Sequence, residues 1–224
     1  MRPVQPSTGH SVRLGVLLSF VGGALDAYTF IGRGGVFANA QTGNVVLSGI
    51  AFAGGNWVQA LRHIPPILAF VLGVVVAEWL KRPRMARIVR RPARAALVLE
   101  AGVLVVVGTL PDSADVVATV LVSFTASLQV SAFRKLVDTA YFTTMITGNL
   151  RTTAQSACLA VVDRDPEAGR RARRFAAVIG GFLVGAITGG LLTFASGIHA
   201  AWAAAGFLVL GLALLVRDER IAAR

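Results

Sequence analysis

Two segments decide the fold of this chain, "ANAQTGNVVLSG" at residues 38–49 and "YFTTMITGNLRTTA" at residues 141–154. Each places a Thr-Gly-Asn triplet inside an otherwise apolar stretch. Thr and Asn side chains cap helix N-termini, and Gly lets the backbone turn or another helix approach closely. A helix that begins at such a triplet directs free N–H groups and a positive dipole end at one point, which suits an anion or polar group. Alternatively, Gly43 and Gly148 are only close-packing points, and Thr and Asn bond between helices.

The composition around the two triplets is that of a membrane protein. Hydrophobic residues make up 55% of the chain and charged residues 15%, with a mean hydropathy of +0.69, whereas soluble domains carry about 25% charged residues. A helix needs roughly 20 mostly apolar residues to cross a bilayer. We therefore predict an all-α, polytopic membrane protein that forms one integral membrane domain over residues 1–224. Six apolar runs are the predicted spans: residues 14–31, 64–80, 95–110, 114–133, 175–194 and 198–216.

Basic residues predict which side of the membrane each connection faces, because Lys and Arg accumulate in cytoplasmic loops. Residues 81–94 contain seven basic and no acidic residues, and residues 163–174 contain five arginines. Both connections are expected in the cytoplasm. Residues 111–115 contain two acids and no base, as expected outside. Six spans with both termini in the cytoplasm satisfy these placements. The net charge of +11 is thereby assigned to membrane orientation, and no nucleic-acid partner is expected.

The triplet segments, residues 43–55 and 148–162, are shorter or more polar than the six runs. If neither crosses the membrane completely, the first enters from the outside and the second from the cytoplasm, as half-spanning segments. If both cross, the chain has eight spans, and the arginine-rich residues 163–174 fall outside. The charge rule favours six spans with two half-spanning segments, and eight spans remain the alternative.

The two halves of the chain, about 12–110 and 114–216, resemble each other. "GALDAYTF" (23–30) aligns with "ASLQVSAF" (126–133), and the triplets follow 16 residues after Asp26 and 18 residues after Gln129. Six spans make this an inverted repeat, whereas eight spans make it a parallel one. In secondary transporters, interrupted hydrophobic segments at corresponding positions of two halves indicate a binding site near the middle of the membrane.

The segments "GALDAYTFIGRGGVFANAQTGNVVLSGIA" and "SLQVSAFRKLVDTAYFTTMITGNL" resemble the YoaK-like family of bacterial transmembrane proteins, a domain of unknown function. Asp26 and the triplet Thr42, Gly43 and Asn44 match its first motif. Gln129, Arg134 and the triplet Thr147, Gly148 and Asn149 match its second, although Gln129 is followed here by Val130 and Ser131 where related sequences carry Asn and Ala. The resemblance covers nearly the whole chain and implies a location in the bacterial plasma membrane.

Polar residues within the apolar runs are the candidate site residues. Asp26 lies well inside the first run, and an ionisable group in a membrane is a functional-site hypothesis by default. Alternatively, it is a structural carboxylate bonded to Arg33, Arg134 or the triplet amides. Glu100 is expected to lie at a shallow depth, facing the cytoplasmic headgroups near Arg94. The full set of predicted binding residues is Asp26, Asn39, Thr42, Gly43, Asn44, Gln129, Arg134, Thr147, Gly148 and Asn149.

No motif of a known enzyme class, metal site or cofactor site occurs in the sequence. We therefore expect a protein that is not an enzyme and carries neither cofactor nor metal. The predicted function is transport of a small molecule or ion through a site formed by Asp26 and the two triplets. The alternative is a membrane scaffold, or a protein that binds a ligand or lipid without transporting it. Gly181, Gly185 and Gly189 permit close helix packing, either within one chain or in a homo-oligomer.

Overall fold

The computed structural model describes residues 11–86, 89–133, 135–136, 139–141 and 143–222. Most of them are helical, as predicted. Short 3-10 turns at Asp112–Ala114 and Gly197–His199 precede two of the helices. The helices are α1 Val12–Gly32, α2 Gln41–Ala53, α3 Trp57–Arg62, α4 Ile64–Leu80, α5 Pro83–Ala86, α6 Pro92–Val107, α7 Asp115–Ala132, α8 Ile146–Val162, α9 Pro166–Ser196 and α10 Ala200–Ala222.

A minimal β-hairpin interrupts the otherwise helical chain, which is all-α as predicted. Its strands β1 (Lys135–Leu136) and β2 (Thr139–Ala140) pair antiparallel, with Leu136 opposite Thr139. Leu136 and the neighbouring Tyr141 are buried against Phe175 and Val178 of α9. The hairpin therefore closes the connection between α7 and α8 onto the helical bundle.

By length and hydropathy, four helical stretches of the described chain qualify as candidate membrane spans. They are Val12–Gly32, Trp57–Leu80, Asp112–Ala132 and Pro166–Ile221, the last of which contains both α9 and α10. The sixth predicted run corresponds to α10, and the third to α6, whose 16 residues are fewer than the roughly 20 that a perpendicular span needs.

The distribution of side chains is that of a membrane protein. On α4, the outward-facing Leu68, Val71, Leu72 and Val75 are 55–62% exposed. Large contiguous apolar surfaces of this kind mark contact with lipid or with another protein. The interior, in contrast, contains many polar groups, and α7 alone buries Thr119, Ser123, Thr125, Ser127, Gln129 and Ser131. An apolar exterior around a partly polar interior is the arrangement expected in a bilayer.

Glycines bring α1 and α9 into backbone contact. A Cβ atom on Gly181 would meet the carbonyl oxygen of Val16, one on Gly185 would overlap the carbonyl of Phe20, and one on Gly189 would overlap the backbone of Ala24. Residue numbers rise together on both helices, so α1 and α9 run parallel. The sequence left open whether these glycines pack helices within one chain or between two chains. In the structure they pack two helices of the same chain.

The helices α4 and α7 form a second parallel pair. A Cβ atom on Gly73 of α4 would clash with Ser127 and the carbonyl oxygen of Phe124 on α7. Farther along, Ala77 and Leu128 lie in one buried cluster. The helices α6 and α10 instead run antiparallel, because the Trp202 indole N–H donates to the Val105 carbonyl at one end (3.0 Å) and Arg94 pairs with Glu219 at the other (2.5 Å).

The helices α2 and α8 extend in opposite directions from the middle of the bundle. Ser48 of α2 donates to the Ala60 carbonyl (2.9 Å), and Gln59 donates to the Gly34 carbonyl, so α2 leads toward the C-terminal end of α1. In α8, Ala160 contacts Gly169 near the start of α9, which lies on the side of the α1 N-terminus. At 13 and 17 residues, the helices are roughly 20 and 25 Å long.

Arg33, which follows α1, forms hydrogen bonds that hold the C-terminal end of α1 to the connection between α6 and α7. Its guanidinium donates to the Tyr28 hydroxyl (2.9 Å) and to the Asp115 carboxylate (3.3 Å). It also donates to three carbonyl oxygens beyond and within the last turn of α6, and its side chain is fully buried. Those carbonyls belong to Val107, Leu110 and Pro111, at 2.8, 3.0 and 3.2 Å.

Candidate functional site

The connection between α1 and α2 folds back along α1 as far as the middle of that helix. The Asp26 carboxylate oxygen Oδ1 accepts the backbone N–H groups of Asn39 (2.7 Å) and Ala40 (3.4 Å). The Asn39 side-chain amide donates to the carbonyl of Gly22 (3.2 Å), which is the central residue of α1. The Thr29 hydroxyl accepts from the Ala38 N–H (3.0 Å). These bonds place the N-terminus of α2 beside the centre of α1.

The Asp26 carboxylate, although it belongs to α1, lies at the N-terminus of α2. The residue is 4% exposed, and Ala40, one of its two N–H donors, is the N-cap of the helix. A carboxylate at this point interacts favourably with the positive end of the helix dipole. The anion at this helix terminus is therefore the protein's own carboxylate. Asp26 was predicted to bond with Arg33, Arg134 or the triplet amides. In the structure it bonds with neither Arg33 nor the triplet amides, but with the backbone N–H groups of the two residues just before α2.

The connection between α7 and α8 reaches the same point on α1. A Cβ atom on Gly22 would contact the Thr144 methyl group at 2.5 Å. Thr143 and Thr144 are both buried. Gly22 is therefore contacted by both connections, through Asn39 from the first and Thr144 from the second.

The two triplets have the same register in their helices. The N-caps are Ala40 and Met145, so each triplet fills the second to fourth positions of its helix. Neither N-cap residue makes a side-chain capping bond. The prediction that Thr and Asn cap the two helices is therefore wrong. Thr42 and Thr147 are exposed on the outer surface, as is Gly148, and Gly43 packs against the Phe37 ring.

The asparagines of the triplets point inward. Asn44 is fully buried, and its amide clamps the preceding loop, because Oδ1 accepts from the Phe37 N–H (2.9 Å) and Nδ2 donates to the Phe37 carbonyl (2.8 Å). Asn149 is 1% exposed at the corresponding position of α8. Asn44 Nδ2 also donates to the Gln41 side-chain oxygen (2.9 Å), and His63 Nδ1 lies 3.4 Å from Asn44 Oδ1. Asn44 thus holds the connection that places Asn39 beside Asp26.

Several buried polar atoms near the two connections have no hydrogen-bond partner in the described part of the chain. From the first half they include Asp26 Oδ2 and Asn39 Oδ1, and from the second half Gln129 Nε2 and Thr143 Oγ1, while the Tyr141 hydroxyl on the second connection is also unpaired. Leaving a buried polar group unpaired costs about 1–3 kcal/mol. The first four of these atoms lie on the elements that carry the predicted site, and they lack hydrogen bonds that a polar ligand or water molecules would supply.

The predicted site residues separate into two groups. Asp26 and Asn39 contact each other, while Asn44 holds their loop, so the first half of the site is assembled. Gln129 is buried on α7, whose Ser123 donates to the Ala38 carbonyl (2.9 Å) in the first connection. Arg134 lies outside the described residues. Thr42, Gly43, Thr147 and Gly148 do not contribute side chains to the interior.

Sequence reasoning missed Thr143 and Thr144 and misplaced Glu100. Thr144 precedes Thr147 by three residues, as Asn39 precedes Thr42, so aligning the triplets would have identified it. Glu100 was expected near Arg94 at a shallow depth, and that expectation is wrong. It lies in the middle of α6 and is 0% exposed, while Arg94 pairs with Glu219 instead.

Within the described ranges, no group of three or more His, Cys, Asp or Glu side chains could hold a metal ion. The polar interior instead contains carboxylates, amides and hydroxyls, together with the buried side chains of Arg33 and His63. Such groups recognise a ligand by hydrogen bonds and charge.

Comparisons with known proteins agree with this architecture. The chain is 28% identical over 138 residues to the UPF0700 transmembrane protein YoaK of Bacillus subtilis (strain 168), an alignment that covers 60% of this chain and 61% of YoaK. No solved structure matches the chain. The helical fold with its apolar exterior, together with a transmembrane relative, identifies a membrane protein. Residues 14–214 match the family described as "Protein of unknown function (DUF1275)", and the chain belongs to that family.

Proposed function

We propose that this protein transports a small molecule or ion across the bacterial plasma membrane and is not an enzyme. One observation carries the proposal. The connection that precedes α2 and the connection that precedes α8 meet at Gly22, in the middle of α1, beside the buried carboxylate of Asp26. Non-helical backbone in the middle of a membrane protein is tolerated where protein surrounds it or where it lines a cavity. In secondary transporters, broken helices that begin at mid-depth form the substrate site.

The proposed topology is six spans and two half-spanning helices, arranged as an inverted repeat with both termini in the cytoplasm. Three observations support it. The parallel pair α1–α9 corresponds to the parallel pair α7–α4, with Gly185 against Phe20 in one and Gly73 against Phe124 in the other. The triplets have the same helical register. The helices α2 and α8 lead to opposite ends of α1, as inversion of one half requires.

Cysteine labelling tests this topology. In a Cys158→Ala background, we expect a membrane-impermeant maleimide to label Asp112→Cys in intact cells and to spare Asp163→Cys until the membrane is opened. Both positions are exposed, so a difference in labelling reports the side of the membrane. Labelling of Asp163→Cys from outside would instead support eight spans.

The free atoms of the first half of the site indicate what kind of ligand it binds. Asp26 Oδ2 and Asn39 Oδ1 are both buried without a partner among the described residues. The amide oxygen can only accept hydrogen bonds, and an ionised carboxylate likewise accepts but does not donate them. A ligand group beside them therefore donates hydrogen bonds or carries positive charge. We propose an inorganic cation, an amine or a hydroxyl-rich molecule as the substrate class.

A ligand screen followed by an uptake measurement tests the transport function. The purified protein is melted in detergent with a panel of inorganic cations, amines, amino acids and polyols, because a ligand that binds only the folded state raises its melting temperature. We expect a stabilising compound from this panel to be taken up by vesicles that contain the protein. Asp26→Asn should abolish both effects and still fold, because the amide oxygen accepts the Asn39 and Ala40 N–H groups.

The matched control is Asp163→Asn, which makes the same chemical change at an exposed carboxylate. It should bind and transport as the wild type does. Stabilisation that survives Asp26→Asn would remove Asp26 from the site. Binding without uptake would favour the alternative of a membrane protein that binds a ligand without transporting it.

A further inference from the structure

Glu100 is a buried carboxyl group that the proposed site does not use. It is the ninth of the 16 residues of α6 and is 0% exposed, and neither of its carboxylate oxygens has a hydrogen-bond partner among the described residues. The proposed substrate site, by contrast, satisfies one oxygen of Asp26 with two backbone N–H groups. The two buried acids therefore have different surroundings.

The face of α6 that carries Glu100 packs in an apolar cluster, because Leu97 and Leu104, one turn away on either side, are fully buried there. The helix α7 also buries hydroxyl and amide side chains, but none of them is hydrogen-bonded to Glu100. The helix α6 packs on α7 and α10, and a single buried cluster joins Leu97 and Leu104 of α6 to residues of both partner helices. The partner residues in that cluster are Ala118 and Val122 of α7, and Ala200, Ala201, Ala204, Ala205, Leu208 and Leu215 of α10.

Charged groups on these three helices lie toward the helix ends. On α6, Arg94 precedes Glu100 by six residues, roughly 9 Å along the axis, and pairs with Glu219 of α10. On α7, Asp115 is the first residue and pairs with Arg33. The other charged residues of α10, Arg217, Asp218 and Arg220, lie in its last two turns. None of these residues is bonded to Glu100 in the described part of the chain.

An ionised carboxylate without a partner is far more costly in apolar surroundings than a protonated one. A neutral carboxyl without hydrogen bonds contributes little to stability, and an apolar or amide side chain of similar size would serve packing equally well. Geometry and burial therefore argue that Glu100 holds a proton in this conformation and that packing is not its role.

We propose that Glu100 is the proton-carrying residue of the transport cycle, an inference that rests on the proposed transport function and names its coupling ion. In this conformation its carboxyl O–H bond is intact. In a conformation that opens the junction of α6, α7 and α10 to water, the O–H bond breaks, the proton passes to water and the carboxylate remains. Water on the other side of the membrane returns a proton in the next half of the cycle.

Infrared spectroscopy of the purified protein tests this without a substrate. We expect a carbonyl band of a protonated carboxyl group in the wild type, lost in Glu100→Gln and retained in Glu167→Gln, whose carboxylate is exposed and paired with Arg170. Asp26→Asn is measured in parallel to identify any contribution of the other buried acid. In deuterium oxide the Glu100 band should shift within minutes to hours, because a transferable proton exchanges with water.

A structural role would lower the melting temperature of Glu100 variants. The proposal instead predicts that Glu100→Gln and Glu100→Leu melt at or above the wild-type temperature, and Glu100→Leu replaces the amide variant in every measurement if that variant does not fold. Absence of the band in the wild type, its survival in Glu100→Gln, or its failure to shift in deuterium oxide would each overturn the proposal. None of these results depends on ligand binding or uptake, so a failure of the transport function itself is recognised separately.

Discussion

Gly185→Leu is expected to prevent assembly of the helical bundle. A Cβ atom at this position would overlap the backbone carbonyl of Phe20, and the neighbouring Gly181 and Gly189 contact α1 in the same way. Backbone atoms have no alternative rotamer, so the two helices must move apart along their whole contact. Overpacking a core costs about 1–3 kcal/mol when side chains can adjust, and we expect a larger loss where they cannot.

The matched control is Gly180→Leu on the same helix, because a Cβ atom on Gly180 would meet nothing within 4 Å. Both variants are extracted in mild detergent and compared by size-exclusion chromatography and thermal melting. We expect Gly180→Leu to elute and melt as the wild type does, and Gly185→Leu to aggregate or to melt many degrees lower. Similar melting of the two variants would contradict the tight α1–α9 contact.

The helical elements were largely predictable because hydropathy and loop composition report directly on burial in a membrane. The predicted run 64–80 coincides with α4, and the two triplet segments became the short helices α2 and α8. Their lengths follow from glycine and polar residues at their ends, such as Gly54 and Gly55 after α2. These are local signals, which a single sequence contains.

The roles of side chains within the site were less predictable, because they depend on where each connection closes onto other helices. Thr42 and Asn44 are two residues apart, yet one faces outward and the other clamps a loop. The helix begins at Gln41 because Asp26, from a distant turn of α1, binds the Asn39 and Ala40 amides. The sequence contained Asp26 and the triplet but not the distance between them.

The depth of Glu100 was misjudged for a related reason. Hydropathy alone began the third run at residue 95, because Arg91 and Arg94 looked like part of a loop. In the structure α6 begins at Pro92, and both arginines pair with Glu219 of α10. Proline is favoured at the first position of a helix, and α6 ends at Val107, before Gly108. The helix thus begins and ends three residues earlier than the predicted run, which places Glu100 near its centre.

Arg33→Met is expected to destabilise the protein by about 3–5 kcal/mol, the usual cost of removing one partner of a buried charge network. The change keeps an unbranched side chain of similar length and removes every donor. Three carbonyl oxygens near the end of α6, the Tyr28 hydroxyl and the Asp115 carboxylate then lose their bonds to the guanidinium. Thermal melting in detergent measures the loss.

Three further variants separate the contributions within this network. Arg62→Met should have little effect, because Arg62 is exposed, although it lines the same surface cavity as Arg33 and Asp115. Asp115→Asn should cost less than Arg33→Met, since the Asp115 side chain is 27% exposed and water can replace part of the ion pair. Arg33→Lys should lie between them, because one ammonium group cannot present the planar fork that reaches five acceptors.

The order of these four melting temperatures distinguishes a charge effect from a hydrogen-bonding effect. If the ion pair with Asp115 dominated, Asp115→Asn would be as harmful as Arg33→Met, and Arg33→Lys would be nearly neutral. If the carbonyl contacts dominate, as the short bonds to Val107 and Leu110 indicate, Arg33→Lys remains markedly destabilised. If Arg33→Met and Arg62→Met melted at the same temperature, Arg33 would not hold the end of α1 to the α6–α7 connection.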